Sequence, residues 1–248
     1  MVLRTFAGGH LFGTRTGTAS PVVLALHGWA RTHRDFDAVL APPGRPPVDA
    51  VAVDLPGFGA TPPPDVAWGS PAYAEVVAEV VAEMAGPVVV VGHSFGGRVA
   101  VHLAAARPDL VRALVLTGVP LLRTRPASRP ARRFRAVRAL HRAGLVGEER
   151  MEGARRRFGS ADYAAAQGTM RAVLVETAGE SYEQQLDAIG CPVALVWGDD
   201  DATVPVAVAE AVAGRLRDAR LTVLPGAGHL VPLTAPDALR AVVERCLG

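Results

Sequence analysis

The sequence of 248 residues predicts an α/β fold, with a mostly parallel central sheet, helices on both faces and an inserted all-helical segment. Three observations carry that expectation. From residue 21 to residue 117, short runs rich in valine, alanine and leucine alternate with stretches of helical periodicity, the pattern of a parallel sheet with helical connections. Residues 121–186 then contain no β-rich run, and the alternation resumes at residue 192. Between them, Val88-Val-Val-Val-Gly-His-Ser94-Phe-Gly-Gly reads as strand, sharp turn and helix, with a serine at the apex.

Composition bounds the rest. With 50% hydrophobic residues there is ample material for one large core. We expect residues 1–120 and 187–248 to build it, with residues 121–186 as a helical lid over the strand ends, where open α/β sheets bind ligands. No apolar run approaches the roughly 18 residues that a membrane span needs, and the first twelve residues lack the continuous apolar stretch of a leader. The expectation is a cytoplasmic protein. Cys191 and Cys246 lie far apart without metal-ligand spacing and read as two buried, reduced thiols. The net charge of +2 hides an asymmetry: residues 121–160 hold twelve arginines against three glutamates, which leaves the remainder negative. The chain has no lysine, the mark of a GC-rich coding sequence more than of selection at every site.

In order, residues 2–6 and 11–14 read as short antiparallel strands about a Gly8-Gly9 turn. Residues 21–26 form a continuous apolar run, a strand buried on both faces, and lead into His27-Gly28-Trp29. A glycine there lets the chain turn back over the strand ends with a following amide aimed into the crevice. Residues 33–40 are expected as a helix and residues 50–54 as a strand. Asp54, before Leu55-Pro56-Gly57, is read as a ligand of loop amides. Residues 71–85 form a helix with Glu75, Glu79 and Glu83 as a solvated stripe, and residues 113–117 another strand. Three helices are expected near residues 130–143, 148–158 and 162–177. A strand at 192–197, a helix at 206–216, a strand at 221–224 and a helix at 236–246 complete the chain.

A serine nucleophile needs a base, and a neutral imidazole suits that role near neutral pH. Of the seven histidines, His27 and His93 adjoin glycines at strand ends and read as structural; His102 lies inside the central helix; His10, His33 and His141 are weakly specified. His229 follows the last strand in a glycine-loosened loop, Pro225-Gly-Ala-Gly-His229, at the edge of the sheet that carries Ser94. The imidazole in turn needs a carboxylate to hold its tautomer. Gly198-Asp199-Asp200-Asp201, after the strand at 192–197, offers three. The other place to mount an acid, after Thr117, has none. The bland alternative is a serine that only caps its helix.

His27-Gly28-Trp29, Asp54-Leu-Pro-Gly-Phe-Gly59, Gly92-His-Ser-Phe-Gly-Gly97, Gly198-Asp-Asp-Asp201 with Pro205, and Gly228-His229 together resemble the α/β-hydrolase superfamily. The order serine, aspartate, histidine also matches it. The resemblance covers residues 21–248 apart from the insertion. Its spacing of acid to proline selects Asp201 and leaves Asp199 and Asp200 as loop-solvating neighbours. It also implies an oxyanion hole from the backbone N–H groups of Trp29 and Phe95, with Arg31 and Arg34 as candidate pocket contacts that read more simply as solvated.

What the resemblance implies is a serine esterase or thioesterase that forms an acyl-enzyme on Ser94 and needs no metal or organic cofactor. Serine at position 94, where an aspartate would be needed, speaks against epoxide hydrolase and dehalogenase chemistry. His-Gly-Trp with Gly-His-Ser is similar to small carboxylesterases, including the pimeloyl-carrier-protein methyl esterase type. The alternatives are a carbon–carbon bond hydrolase of the ring-cleavage-product type and a non-catalytic ligand-binding receptor on the same fold. In the insertion, Arg132, Arg133, Arg135, Arg138 and Arg142, with Arg155-Arg-Arg157, make either a solvated face or a landing surface for an anionic acyl substrate or an acidic carrier protein. No base-reading motif points to nucleic acid.

Overall fold

Four consecutive valines, Val88 to Val91, are all buried, and a strand with β-branched side chains on both faces is stable only when helices cover both. A computed structural model describes residues 2–122, 132–158 and 161–248 and places that strand centrally. The strands are β1 (Leu3–Phe6), β2 (Leu11–Thr16), β3 (Val23–Leu26), β4 (Ala50–Asp54), β5 (Val88–His93), β6 (Val111–Thr117), β7 (Val193–Gly198) and β8 (Ala219–Leu224). They form one sheet in the order β1-β2-β4-β3-β5-β6-β7-β8. β1 and β2 are antiparallel additions at one edge, and every pairing from β4 to β8 is parallel.

The helices in chain order are α1 (Asp37–Leu40), α2 (Ser70–Ala82), α3 (Phe95–Ala106), α4 (Arg132–Arg142), α5 (Glu148–Phe158), α6 (Ala161–Ala165), α7 (Gly168–Gly179), α8 (Glu183–Ala188), α9 (Val206–Ala213), α10 (Val231–Thr234) and α11 (Pro236–Leu247). Strand side chains alternate between two cores. Leu24, Leu26, Val88 and Val90 pack with Val77 of α2, Val99 and Leu103 of α3, Leu186 of α8 and Val208 of α9. Val23, Ala25, Val89 and Val91 pack with Val39 of α1 and Leu239 and Val242 of α11.

Three local expectations change. Residues 33–40 begin as a 3-10 turn, His33–Phe36, and only then become α1. Asp54 draws both the backbone N–H and the ring of His33 at 2.8 Å, which holds the chain off the α-helical path. The helix expected at 162–177 divides into α6 and α7, because Gly168 sits at φ +51°. Cys191 and Cys246 are half-buried, not enclosed.

Between β6 and β7 the described residues contain only helices. The returning end of this insertion is tied to the core. Glu180 accepts from Ser70 N and Ser70 Oγ at 2.6 Å each, at the positive end of α2, and also from the Tyr182 hydroxyl. Arg98 of α3 donates to Thr177 O at 2.8 Å. No helix among the described residues is long and apolar enough to cross a membrane. Since β4 and β5 flank β3 on opposite sides, the connections leaving β3 and β5 diverge at their carboxyl ends, the switch point at which open α/β sheets bind ligands.

Candidate active site

Ser94 lies at that switch point, between the last residue of β5 and the first of α3, with φ +49° and ψ −110°. Such a backbone costs a non-glycine residue roughly 1–3 kcal/mol and persists only where its surroundings enforce it. Here Ser94 N donates to Thr117 O at 2.9 Å and Gly96 N to His27 O at 3.0 Å. The turn is too tight for side chains at its flanks. A Cβ on Gly92 would lie 2.5 Å from Gly97 Cα, and one on Gly96 would strike the carbonyls of Leu26 and His27. The serine side chain makes no cap hydrogen bond to α3, so the helix-cap alternative has no support.

The loop after β7 supplies Asp201, whose side chain is 1% exposed. Its Oδ1 accepts from Thr203 N and Val204 N at 2.8 Å each. Its Oδ2 lies 2.8 Å from His229 Nδ1. A carboxylate only accepts, so Nδ1 carries the proton and Nε2 keeps its lone pair. The His229 ring rests on the end of β6: a Cβ on Gly118 would lie 2.8 Å from its Cε1. Thr117, the preceding residue, holds the Ser94 amide, so one strand end supports both the serine turn and the histidine.

The two other aspartates divide. Asp200 has an exposed side chain and contributes its backbone N–H to Ala227 O at 3.0 Å. Asp199, expected only to solvate the loop, accepts from Gly226 N at 2.7 Å and so tethers the loop that carries His229. His93 is structural, as its place beside a glycine at a strand end suggests, and its partner is distant in sequence: Nε2 lies 3.0 Å from the His229 carbonyl oxygen. Neither link has a local sequence signal, because each spans a distance set by the sheet.

Among the described residues, the backbone N–H groups of Trp29 and Phe95 donate to no protein acceptor. The Trp29 indole stacks edge-on against Phe58 and Phe95, with ring centroids 5.0 and 5.5 Å away. Its loop is braced by buried His27, which donates from Nδ1 to Gly28 O at 2.7 Å and accepts from Leu55 N at 2.9 Å. Burial pushes the His27 pKa down to about 4, in keeping with an imidazole that accepts an amide proton. Asp54 is occupied by His33 and by Ala60 N at 2.9 Å, as its structural reading requires. Arg31 is paired with Asp35 through two bonds of 2.7 and 2.8 Å. Arg34 is exposed.

His102 lies in α3 against Tyr182, His141 bonds Val146 O at 2.9 Å, and His10 is exposed. On α4, Arg133, Arg135, Arg138 and Arg142 are exposed. The side chains of Arg132, Arg155, Arg156 and Arg157 lie outside the described residues.

The chain has counterparts among known proteins. A model of the alpha/beta hydrolase family matches residues 22–242. The chain is 31% identical to a pimeloyl-(acyl-carrier protein) methyl ester esterase of Neisseria meningitidis serogroup A, over 89% of its own length and 74% of that protein's. It is 30% identical to a protein of the same name from Aromatoleum aromaticum, over 90% of this chain and 97% of that one. A thermophilic esterase from Thermogutta terrifontis superimposes with a TM-score of 0.70 at 24% identity, over 100% of this chain and 98% of the other. At that identity the likeness is one of fold.

Proposed function

This chain belongs to the alpha/beta hydrolase family, and on that premise we propose that it hydrolyses a carboxylic ester or thioester through an acyl-enzyme on Ser94. The observation that carries the reading is the strained, uncapped Ser94 after β5, its amide held by the end of β6, against which also rests a histidine held through Nδ1 by Asp201 at 2.8 Å. In the mechanism His229 Nε2 takes the hydroxyl proton as Ser94 Oγ attacks the carbonyl carbon. The tetrahedral oxyanion is received by the N–H groups of Trp29 and Phe95, each worth about 3–4 kcal/mol in comparable sites. His229 returns the proton to the departing alcohol or thiol, and water repeats the sequence to release the acid. Asp201 keeps the imidazole in the accepting tautomer and stabilises the imidazolium.

Residues 121–186 act as the lid of this site. Support comes from the ties of α7 and Glu180 to α2 and α3, the helix that opens at the nucleophile turn, and from Met170, whose Sδ would lie 2.1 Å from a Cβ on Gly57 in the loop after β4. The acyl group is anionic or linked to a carrier. That finer reading is supported by the names of the relatives above and by four exposed arginines on α4, whose field concentrates anions and weakens with salt.

The test is turnover of a chain-length series of p-nitrophenyl esters and acyl thioesters, with a ring-cleavage product alongside and Ser94→Ala as control. Multiple turnovers, an acyl adduct on Ser94 and an inactive variant are expected. Undiminished turnover by Ser94→Ala refutes the reading. Faster hydrolysis of the ring-cleavage product than of any ester transfers it to carbon–carbon chemistry. For the carrier, a steeper salt dependence of kcat/KM with a carrier-linked substrate than with a neutral ester, reduced when Arg135 and Arg138 become glutamine, is expected; equal slopes refute it.

A further inference from the structure

Among the groups that the mechanism leaves unused, His93 is the one that simple packing explains least. It is 1% exposed, and burial, with His229 nearby, pushes its pKa down to about 4, so the ring is neutral at working pH. Its Nε2 lies 3.0 Å from the His229 carbonyl oxygen. A carbonyl accepts, so Nε2 carries the proton and Nδ1 is left bare. That Nδ1 is buried without a partner among the described residues, an arrangement that costs roughly 1–3 kcal/mol. An apolar side chain of similar volume would avoid the cost. It would not donate to His229.

The ring is also hemmed in. A Cβ on Gly28 would lie 2.7 Å from its Nδ1 and 3.4 Å from Ser94 Cβ, and the ring stands 5.0 Å from that of His229. His93 therefore precedes the serine in sequence, underlies the backbone next to Trp29, and bonds the main chain of His229. Asp199 fixes the same loop at Gly226, and Asp201 fixes the imidazole. The His93 bond ties the main chain of His229 to the serine turn.

We propose that His93 is a positioning residue: by donating from Nε2 to the His229 carbonyl it sets the height of the His229 loop over Ser94. The inference rests on the acyl-transfer reading above. Its reach is one bond: it acts on the alignment of His229 with Ser94 and leaves acyl binding alone.

The test compares His93→Leu, which fills the space without a donor, with His93→Gln, whose amide nitrogen reaches the Nε2 position. Melting curves and steady-state ester hydrolysis are measured on both, alongside Ser94→Ala. His93→Leu is expected to lose about 10- to 100-fold in kcat with KM within about twofold, as a misplaced base does. His93→Gln is expected to recover to within about fivefold of wild type. If Ser94→Ala is inactive while folded His93→Leu keeps kcat within about threefold of wild type, the positioning role fails and the acyl-transfer reading stands. Equal losses in the leucine and glutamine variants also overturn it, since the donor would then be irrelevant. An active Ser94→Ala would instead remove the reaction on which the role depends. Should neither His93 variant fold, nitrogen-15 spectra of the wild-type histidines still decide. His93 is expected as the Nε2–H tautomer, opposite to His229, and an Nδ1–H tautomer at His93 overturns the proposal.

Discussion

Replacing Asp201 by asparagine changes one atom and should disable the site. The carboxylate receives three hydrogen bonds of 2.8 Å, two on Oδ1 from Thr203 N and Val204 N and one on Oδ2 from His229 Nδ1. An asparagine has one accepting oxygen, and the structure determines where it goes. Turning the NH2 group toward the two backbone donors would leave both unpaired, at roughly 1–3 kcal/mol for each. The oxygen therefore stays with Thr203 and Val204, and the NH2 group faces His229. The imidazole answers by shifting its proton to Nε2, where it can no longer accept from Ser94. A tautomer error of this kind lowers kcat by about 10⁴-fold, or about 5 kcal/mol in the barrier. KM and the melting temperature should change little, because the side chain keeps its shape and two of its three bonds. The assay is steady-state hydrolysis of a p-nitrophenyl ester by wild type, Asp201→Asn and Asp200→Asn. A kcat for Asp201→Asn within about tenfold of wild type, or an equal loss in Asp200→Asn, would refute the reasoning.

The tether at Asp199 makes a milder case. Asp199→Asn keeps an acceptor for Gly226 N and should retain the rate, whereas Asp199→Ala should lower kcat several-fold without touching the triad; steady-state kinetics that rank the two the other way would contradict the tether. At the nucleophile turn, Ser94→Gly should be more stable than Ser94→Ala by about 1 kcal/mol in urea titrations, against the usual order of these residues, because only glycine relaxes at φ +49°. A more stable alanine variant would show that the turn is unstrained. Stability should also fall in acid. His27 and His93 have folded pKa values of about 4, below the unfolded value near 6.5, so the unfolded chain binds protons more readily. Their contribution is present above about pH 6.5 and lost as pH falls toward 4, by roughly 3 kcal/mol for each. Unfolding free energies that are flat between pH 7 and 4.5 would contradict this.

The fold was legible because hydrophobic period and chain order speak locally. The valines of β5, the glycines around Ser94 and the alternation on both sides of the insertion each constrain their own neighbourhood, and the sheet assembles from them. Resemblance then selected Asp201 from three adjacent aspartates, and it is Asp201 that meets His229. Long-range polar ties were not legible. Asp199 to Gly226, His93 to His229 and Glu180 to Ser70 join residues 27, 136 and 110 positions apart, and no spacing rule connects them before the strands are ordered. The helix boundary in the insertion was missed for a local reason: Gln167 is extended and Gly168 has φ +51°, a break that apolar periodicity alone does not mark.

Strand order has one further effect. The loops after β7 and β8, which are neighbours, carry Asp201 and His229, while Trp29 follows β3 and Ser94 and Phe95 follow β5. The helical insertion lies in the chain between these two groups, after β6 and before β7. A cut there would divide the polypeptide into one piece that holds Ser94 and another that holds Asp201 with His229. On the proposed mechanism neither piece turns over an ester alone, so hydrolysis would report the reunion of the halves through the β6–β7 pairing. The residues of the proposed mechanism are thus divided as a complementation pair would need.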